Sequence, residues 1–315
     1  MGKIAFLFPG QGSQTAGMGK ALAEQDEKVK QFFENADQKL GFSLSSLIFE
    51  GPQEKLTLTT NAQPALLTAS IAILDYFKRS GVKPDYVAGH SLGEYTALVA
   101  AGAISFEDGV YAVRKRGEFM EEAVPNGEGT MAAVLGLDRD KLTAVTEEIT
   151  AGGNPVQLAN LNCPGQIVIS GSRAGVEQAS VKAKEAGAKR VLPLDVSGPF
   201  HSELMKPAAA KFKQILDEIE IKDAAIPVIA NVTASEMTAA SEINSRLIEQ
   251  LYSPVLWEDS IRKMADLGVD TFIEIGPGKV LTGLVKKVDR SLKTYAVSDE
   301  ETCAAVTESL KEELR

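Results

Sequence analysis

Apolar and polar positions alternate along this chain in short blocks, and the period of each block assigns it to a strand or a helix. The first block is an apolar run at 4–8 that ends at Pro9-Gly10 and is followed by a stretch of helical spacing at about 19–40. A second unit predicts a strand at 85–88, a turn at 89–91 and an apolar helix at 92–101 that Gly102 can end. The third has a strand at 271–275, the turn Gly276-Pro277-Gly278 and a helix from about 279 to 288. Strands joined in this way by helices pack most simply as a parallel sheet.

The central part has a different rhythm. Strands are predicted at 131–135, 156–160, 166–171 and 190–194, with helices near 141–150 and 174–186 and a turn at Asn162-Cys163-Pro164-Gly165. That order, βαββαβ, is the split βαβ or ferredoxin-like pattern, and it begins just after Pro125-Asn126-Gly127-Glu128-Gly129, which reads as a linker. The expectation is an α/β protein: a large domain with a mainly parallel sheet, formed by 1–126 and 197–315, and a small inserted ferredoxin-like domain at 127–196.

Composition narrows the classes. A chain of 315 residues with 44% hydrophobic and 24% charged residues can bury a full core without help. No apolar run approaches the ~20 residues that span a bilayer, and the first residues lack the length and cleavage site of a secretory signal, so a cytoplasmic location is expected. Cys163 and Cys303 have neither metal-ligand nor redox spacing, and with only His90 and His201 in the chain no metal is expected. A net charge of −10 repels phosphate backbones and argues against nucleic-acid binding.

Chemistry concentrates at Gly89-His90-Ser91-Leu92-Gly93, a G-x-S-x-G between a predicted strand and helix. A sharp turn there pushes the serine oxygen clear of the backbone, as in an α/β-hydrolase-like core, and the flanking glycines leave room for it. Backbone N–H groups at the helix start, beginning with Leu92, can stabilise an oxyanion. A serine at its ordinary pKa needs a base, and outside the elbow the chain offers only His201, in a loop just beyond the small domain. His90 points away from Ser91 if the elbow is sharp, and reads as a packing residue.

Two glycine motifs fail as nucleotide sites. Gly10-Gln11-Gly12 lacks the third small residue of a dinucleotide fingerprint, having Thr15 there, and Gly278-Lys279 is followed by Val280 where a phosphate loop needs a hydroxyl. No cofactor is indicated. In the basic run Arg114-Lys115-Arg116 the first two residues read as a solvated face. Arg116 falls instead on the edge of the apolar stripe of Val110, Val113, Gly117 and Met120. A guanidinium placed there must find an anion, either a structural carboxylate or the carboxylate of a substrate.

These residues, with Phe8 to Gln14, Gln63-Pro64-Ala65-Leu66-Leu67, Glu94-Tyr95, Phe119-Met120, Asn160 to Gly165, Gln250-Leu251-Tyr252, Pro254-Val255 and Gly276 to Leu284, resemble the malonyl-CoA:acyl carrier protein transacylases of bacterial fatty acid synthesis over essentially the whole chain. The resemblance implies that Ser91 is the nucleophile and His201 the base, with the backbone carbonyl of Gln250 holding the imidazole. It implies an oxyanion hole from the N–H groups of Gln11 and Leu92, Arg116 as holder of the malonyl carboxylate, and Gln63, Asn160 and Asn162 along the cleft. Phe200 resembles the residue found in malonyl-selective acyltransferase domains of polyketide synthases, which tells against a branched acyl group. Partners implied are malonyl-CoA, CoA and acyl carrier protein, served by a monomer. An acidic carrier needs a basic patch on so acidic a protein, and Lys286, Lys287 and Arg190 are the candidates.

Three other readings share parts of the pattern. A stand-alone acyltransferase for a polyketide assembly line has the same chemistry. A serine hydrolase shares the elbow but wants an acid between Ser91 and His201, where Asp195 stands. A noncatalytic binding module has no need of Ser91, His201 and Arg116 together.

Overall fold

A computed structural model describes residues 2–125 and 127–313. Ten strands form among these residues: β1 (Lys3–Phe8), β2 (Tyr86–Gly89), β3 (Gly129–Leu135), β4 (Val156–Cys163), β5 (Gln166–Ser172), β6 (Arg190–Pro193), β7 (Val228–Ile229), β8 (Glu236–Met237), β9 (Val269–Ile275) and β10 (Lys293–Val297). They make a six-stranded sheet of order β10-β9-β1-β2-β7-β8 and a four-stranded sheet of order β4-β5-β3-β6.

The larger sheet is parallel except at its edge, where β8 runs against β7. Its strands are apolar on both faces because helices cover both. Along β1, Ile4, Phe6 and Phe8 enter one hydrophobic cluster while Ala5 and Leu7 enter the other, the period-2 signature of a doubly covered strand. The helix Thr59–Phe77 packs into the first cluster with fifteen of its nineteen residues buried, so it is apolar nearly all round. Trp257, Ile261 and Met264 of the helix Trp257–Asp266 fill the second. Phe8 of β1 lies beside Gly89 of β2, so the loop after β1 and the turn after β2 emerge together at the carboxyl edge of the sheet. In open parallel sheets that edge is where sites form.

The smaller sheet is antiparallel throughout, with β5 between β3 and β4 as the split βαβ pattern requires. Strand β4 runs past 160 to Cys163 with register shifts at Leu158/Asn160 and Leu161/Cys163. Asn162, expected in the turn, therefore sits with Asn160 on a bulged strand. Its far end is sewn to the large sheet's loops: Val255 donates to Ala159 O at 2.8 Å and Leu161 to Val255 O at 2.9 Å.

Two further expectations need correction. The helix at 19–40 is two helices, Lys20–Gln25 and Glu27–Leu40, because the Asp26 side chain accepts the N–H groups of Lys28 and Val29 and starts the second afresh. Arg114 is not on a solvated face. Pro64 has no N–H for Thr60 O, and Arg114 Nη1 takes that carbonyl at 2.9 Å while also reaching Asn61 Oδ1 at 2.7 Å. Asn126 of the proposed linker lies outside the described residues.

Candidate active site

Ser91 stands between β2 and the helix Leu92–Ala100 with φ 53° and ψ −110°, a conformation sparsely populated by any residue with a side chain. The sequence makes the turn by omission. A Cβ on Gly89 would lie 1.9 Å from the carbonyl of Gly93, and one on Gly93 would lie 2.1 Å from Phe8 O. Only glycine lets the helix start this close to the strands.

Ser91 Oγ is 2.7 Å from His201 Nε2, and His201 Nδ1 is 2.8 Å from the backbone carbonyl of Gln250. A carbonyl only accepts, so Nδ1 carries the proton and Nε2 is free to receive one from the serine. His201 is 3% exposed and itself has positive φ, at 58°. Burial, with the charge of Arg116 nearby, pushes its pKa down to about 3. Its partner is a carbonyl rather than an acid, and Asp195 is an exposed residue on the cavity wall.

Arg116 projects from the helix Phe106–Glu122 and is 1% exposed. Its Nη1 donates to Gln63 Oε1 at 2.7 Å, and its Nη2 to Gln250 Oε1 at 3.0 Å and to Ser91 Oγ at 3.2 Å. No carboxylate pairs with it among the described residues, and its Nε has no hydrogen-bond partner. Of the two anions open to it from sequence, a directly paired structural carboxylate is not the one found. The guanidinium also stacks 5.3 Å from the Tyr95 ring centre, a second way of holding a cation without neutralising it.

These groups open into a cavity of about 310 Å³ whose walls include Gln11, Leu92, Asn160 and Phe200. Neither the N–H of Gln11 nor that of Leu92 donates to another group among the described residues, which leaves both for a developing oxyanion. Gln63 is fully buried and sits behind Arg116 rather than on the cavity wall. Asn162 likewise stands back, its Oδ1 2.8 Å from His90 Nε2, while the His90 ring meets Trp257 edge-on at 5.4 Å. His90 therefore packs and anchors β4.

Two residues of this site have no role in the sequence reading, where Glu94 stands only within a matching segment and Asn231 is not named. Asn231 clamps the elbow from both sides, accepting the Ser91 N–H at 2.7 Å and donating to Gly89 O at 2.7 Å. Glu94 is wholly buried behind Gln250. The only sequence signal for Glu94 is an acid inside an otherwise apolar helix, and Asn231 has none, since it comes from the loop after β7.

A family model described as acyl transferase domain matches residues 5–313. The malonyl CoA-acyl carrier protein transacylase of Bacillus subtilis (strain 168) is 67% identical over 313 residues, which is 99% of this chain and 99% of the relative. An acyl carrier protein S-malonyltransferase from Vibrio cholerae superimposes with a TM-score of 0.94 at 47% identity, over 96% of this chain and 99% of that one. A malonyl-transacylase solved in complex with its type II polyketide synthase acyl carrier protein gives a TM-score of 0.94 at 44% identity, over 98% and 99% of the two chains. With a full-length family match and relatives at this identity, the chain belongs to the malonyl CoA-acyl carrier protein transacylase family, built on the acyl transferase domain.

Proposed function

We propose that this enzyme moves a malonyl group from malonyl-CoA to the phosphopantetheine thiol of acyl carrier protein through an ester on Ser91. His201 Nε2 takes the hydroxyl proton as Ser91 Oγ attacks the thioester carbonyl, and the oxyanion is held by the N–H groups of Gln11 and Leu92. Collapse breaks the C–S bond, and the proton passes from His201 to the departing CoA sulfur. The carrier thiol then gives its proton to His201 and attacks the ester, the C–O bond to Ser91 breaks, and His201 returns that proton to Ser91 Oγ, so no proton or electron is left over. One thioester replaces another, which makes the reaction nearly balanced in free energy and reversible.

The observation that carries this reading is the Arg116 guanidinium 3.2 Å from Ser91 Oγ with no carboxylate partner of its own among the described residues. In malonyl the free carboxylate is one methylene from the reacting carbonyl, so an acyl group with its carbonyl at Oγ sets its carboxylate against Nη2. The buried Phe200 ring on the cavity wall supports selection against a branched acyl group. Fatty acid synthesis is the proposed pathway, in keeping with relatives that are malonyl CoA-acyl carrier protein transacylases. The 44% identical transacylase solved with a polyketide synthase carrier keeps that pathway as a second reading. We further take 1–126 and 197–315 as the large domain and 127–196 as the small one, and place the reaction in the cytoplasm on a single chain.

The test is intact mass after incubation with malonyl-CoA. A malonyl adduct that Ser91→Ala lacks, and that acyl carrier protein removes, is expected. Rapid hydrolysis with no carrier acylation would make the enzyme a hydrolase.

A further inference from the structure

Glu94 takes no part in the scheme above, yet it lies in the first turn of the helix that begins after Ser91 and has no exposed surface. A carboxylate this deep needs a cation or a set of donors. Its nearest partners are neutral donors: Oε1 accepts the N–H of Asn231 at 3.3 Å, and Oε2 accepts the side-chain amide of Gln250 at 2.5 Å. That amide also donates to Ser91 O at 2.9 Å, and it turns its oxygen to Arg116 Nη2 at 3.0 Å.

An amide side chain has one donating end and one accepting end, so fixing either end fixes the other. An ionised carboxylate only accepts. With Glu94 on one side, Gln250 must offer NH₂ there and oxygen to the guanidinium. Burial pushes the Glu94 carboxyl up to about 8, against the opposing pull of Gln250, Asn231 and Arg116. Both oxygens face N–H groups, so the carboxyl accepts on the Gln250 side and the amide must present its NH₂ there. Glu94 thus reaches Arg116 through one neutral amide, without the direct ion pair that would compete with a substrate carboxylate.

We propose that Glu94 is a positioning residue for substrate selection, orienting the Gln250 amide so that its oxygen holds the Arg116 guanidinium, unpaired, beside Ser91. The proposal rests on the reading of Arg116 as the malonyl carboxylate site.

The experiment compares kcat/KM for malonyl-CoA and acetyl-CoA in wild type, Glu94→Gln, Gln250→Met and Arg116→Ala. Glu94→Gln keeps the shape but puts an NH₂ against a donor, which frees the Gln250 amide to turn. Gln250→Met keeps the backbone carbonyl for His201 and removes the relay. Each should lower the malonyl-to-acetyl ratio on the order of tenfold, mainly through KM for malonyl-CoA, as expected when a buried donor loses its partner. Combining the two should add little, because they interrupt one path.

If Arg116→Ala collapses the ratio while Glu94→Gln and Gln250→Met leave it at the wild-type value, or depress both substrates equally, Glu94 is only structural and the proposal falls while the function stands. If Arg116→Ala leaves the ratio unchanged, the carboxylate binds elsewhere and both readings fall. Should Glu94→Gln not fold, Gln250→Met decides alone: a lowered ratio supports the relay and an unchanged one overturns it.

Discussion

His201 is buried next to a permanent cation, and the resulting pKa of about 3 keeps its imidazole neutral wherever the enzyme works. Because a base must be unprotonated, kcat/KM for malonyl-CoA should show no acid limb at the ordinary imidazole value of 6.5. Activity loss through this group belongs far lower, and a limb near 6.5 that vanishes in His201→Ala would contradict the geometry. The stability term has the same direction. The unfolded chain binds this proton below 6.5 and the native chain does not until about 3, so His201 favours folding fully above 6.5 and progressively less as pH falls through that window. Arg116 makes the second prediction at this scale. Arg116→Ala should lower malonyl transfer by orders of magnitude, in line with the roughly 3–5 kcal/mol lost when one partner of a buried ion pair goes, while acetyl transfer holds or rises. Arg116→Lys should rescue only part of it, since an ammonium cannot bond Gln63, Gln250 and a carboxylate in one plane.

Among the elements, the turn from β2 into the helix Leu92–Ala100 is the most constrained. Gly93→Ala would drive a methyl to 2.1 Å from a backbone oxygen of β1, which has no flexible end to yield. A shift of the helix start is the outcome, with a cost of about 1–3 kcal/mol or more as in other overpacked sites and with Ser91 displaced from His201. Thermal unfolding and single-turnover acylation should both report it, and a variant with wild-type acylation would mean the elbow has slack. The helix Thr59–Phe77 shows the opposite economy of signals. Its near-uniform apolar character leaves no stripe for a period to reveal, and its Pro64 argues locally against a helix, until Arg114 satisfies the carbonyl that the proline abandons.

On the scale of the whole molecule, a chain of net charge −10 must still attract an acidic carrier. Leu135 of β3 pairs with Gln166 on one side and Arg190 on the other, and Lys287 Nζ donates to Gln166 Oε1 at 3.1 Å. Those pairings bring Arg190 and Lys287 to one edge where the small sheet meets the helix Val280–Val288, some two strand spacings (~10 Å) apart, while Lys286 Nζ turns to the carbonyls of Arg290 and Leu292. Charge reversal of the three should raise KM for carrier protein severalfold at low salt, with the effect fading as salt rises and with malonyl-Ser91 formation unaltered. Equal loss in both half-reactions would remove this edge from consideration as the docking site.

The chain's own pattern determined the class of fold, the βαββαβ order of the small sheet and the position of Ser91, because each depends on contacts within one or two neighbouring elements: strand period, turn glycines, helix starts. His201 followed from there being no other histidine to serve. What only the tertiary structure decided is how distant segments divide the work. Gln63 stands behind Arg116 and not in the cavity, Asn162 anchors His90, and Arg114 repairs the helix that Pro64 interrupts. Asn231 spans the elbow, and Glu94 sets the Gln250 amide. Each of these is a choice of hydrogen-bond partner between residues 53 or more positions apart. Such pairings are imposed by burial, which forbids unpaired polar groups, and burial exists only once the sheets and helices have closed around them.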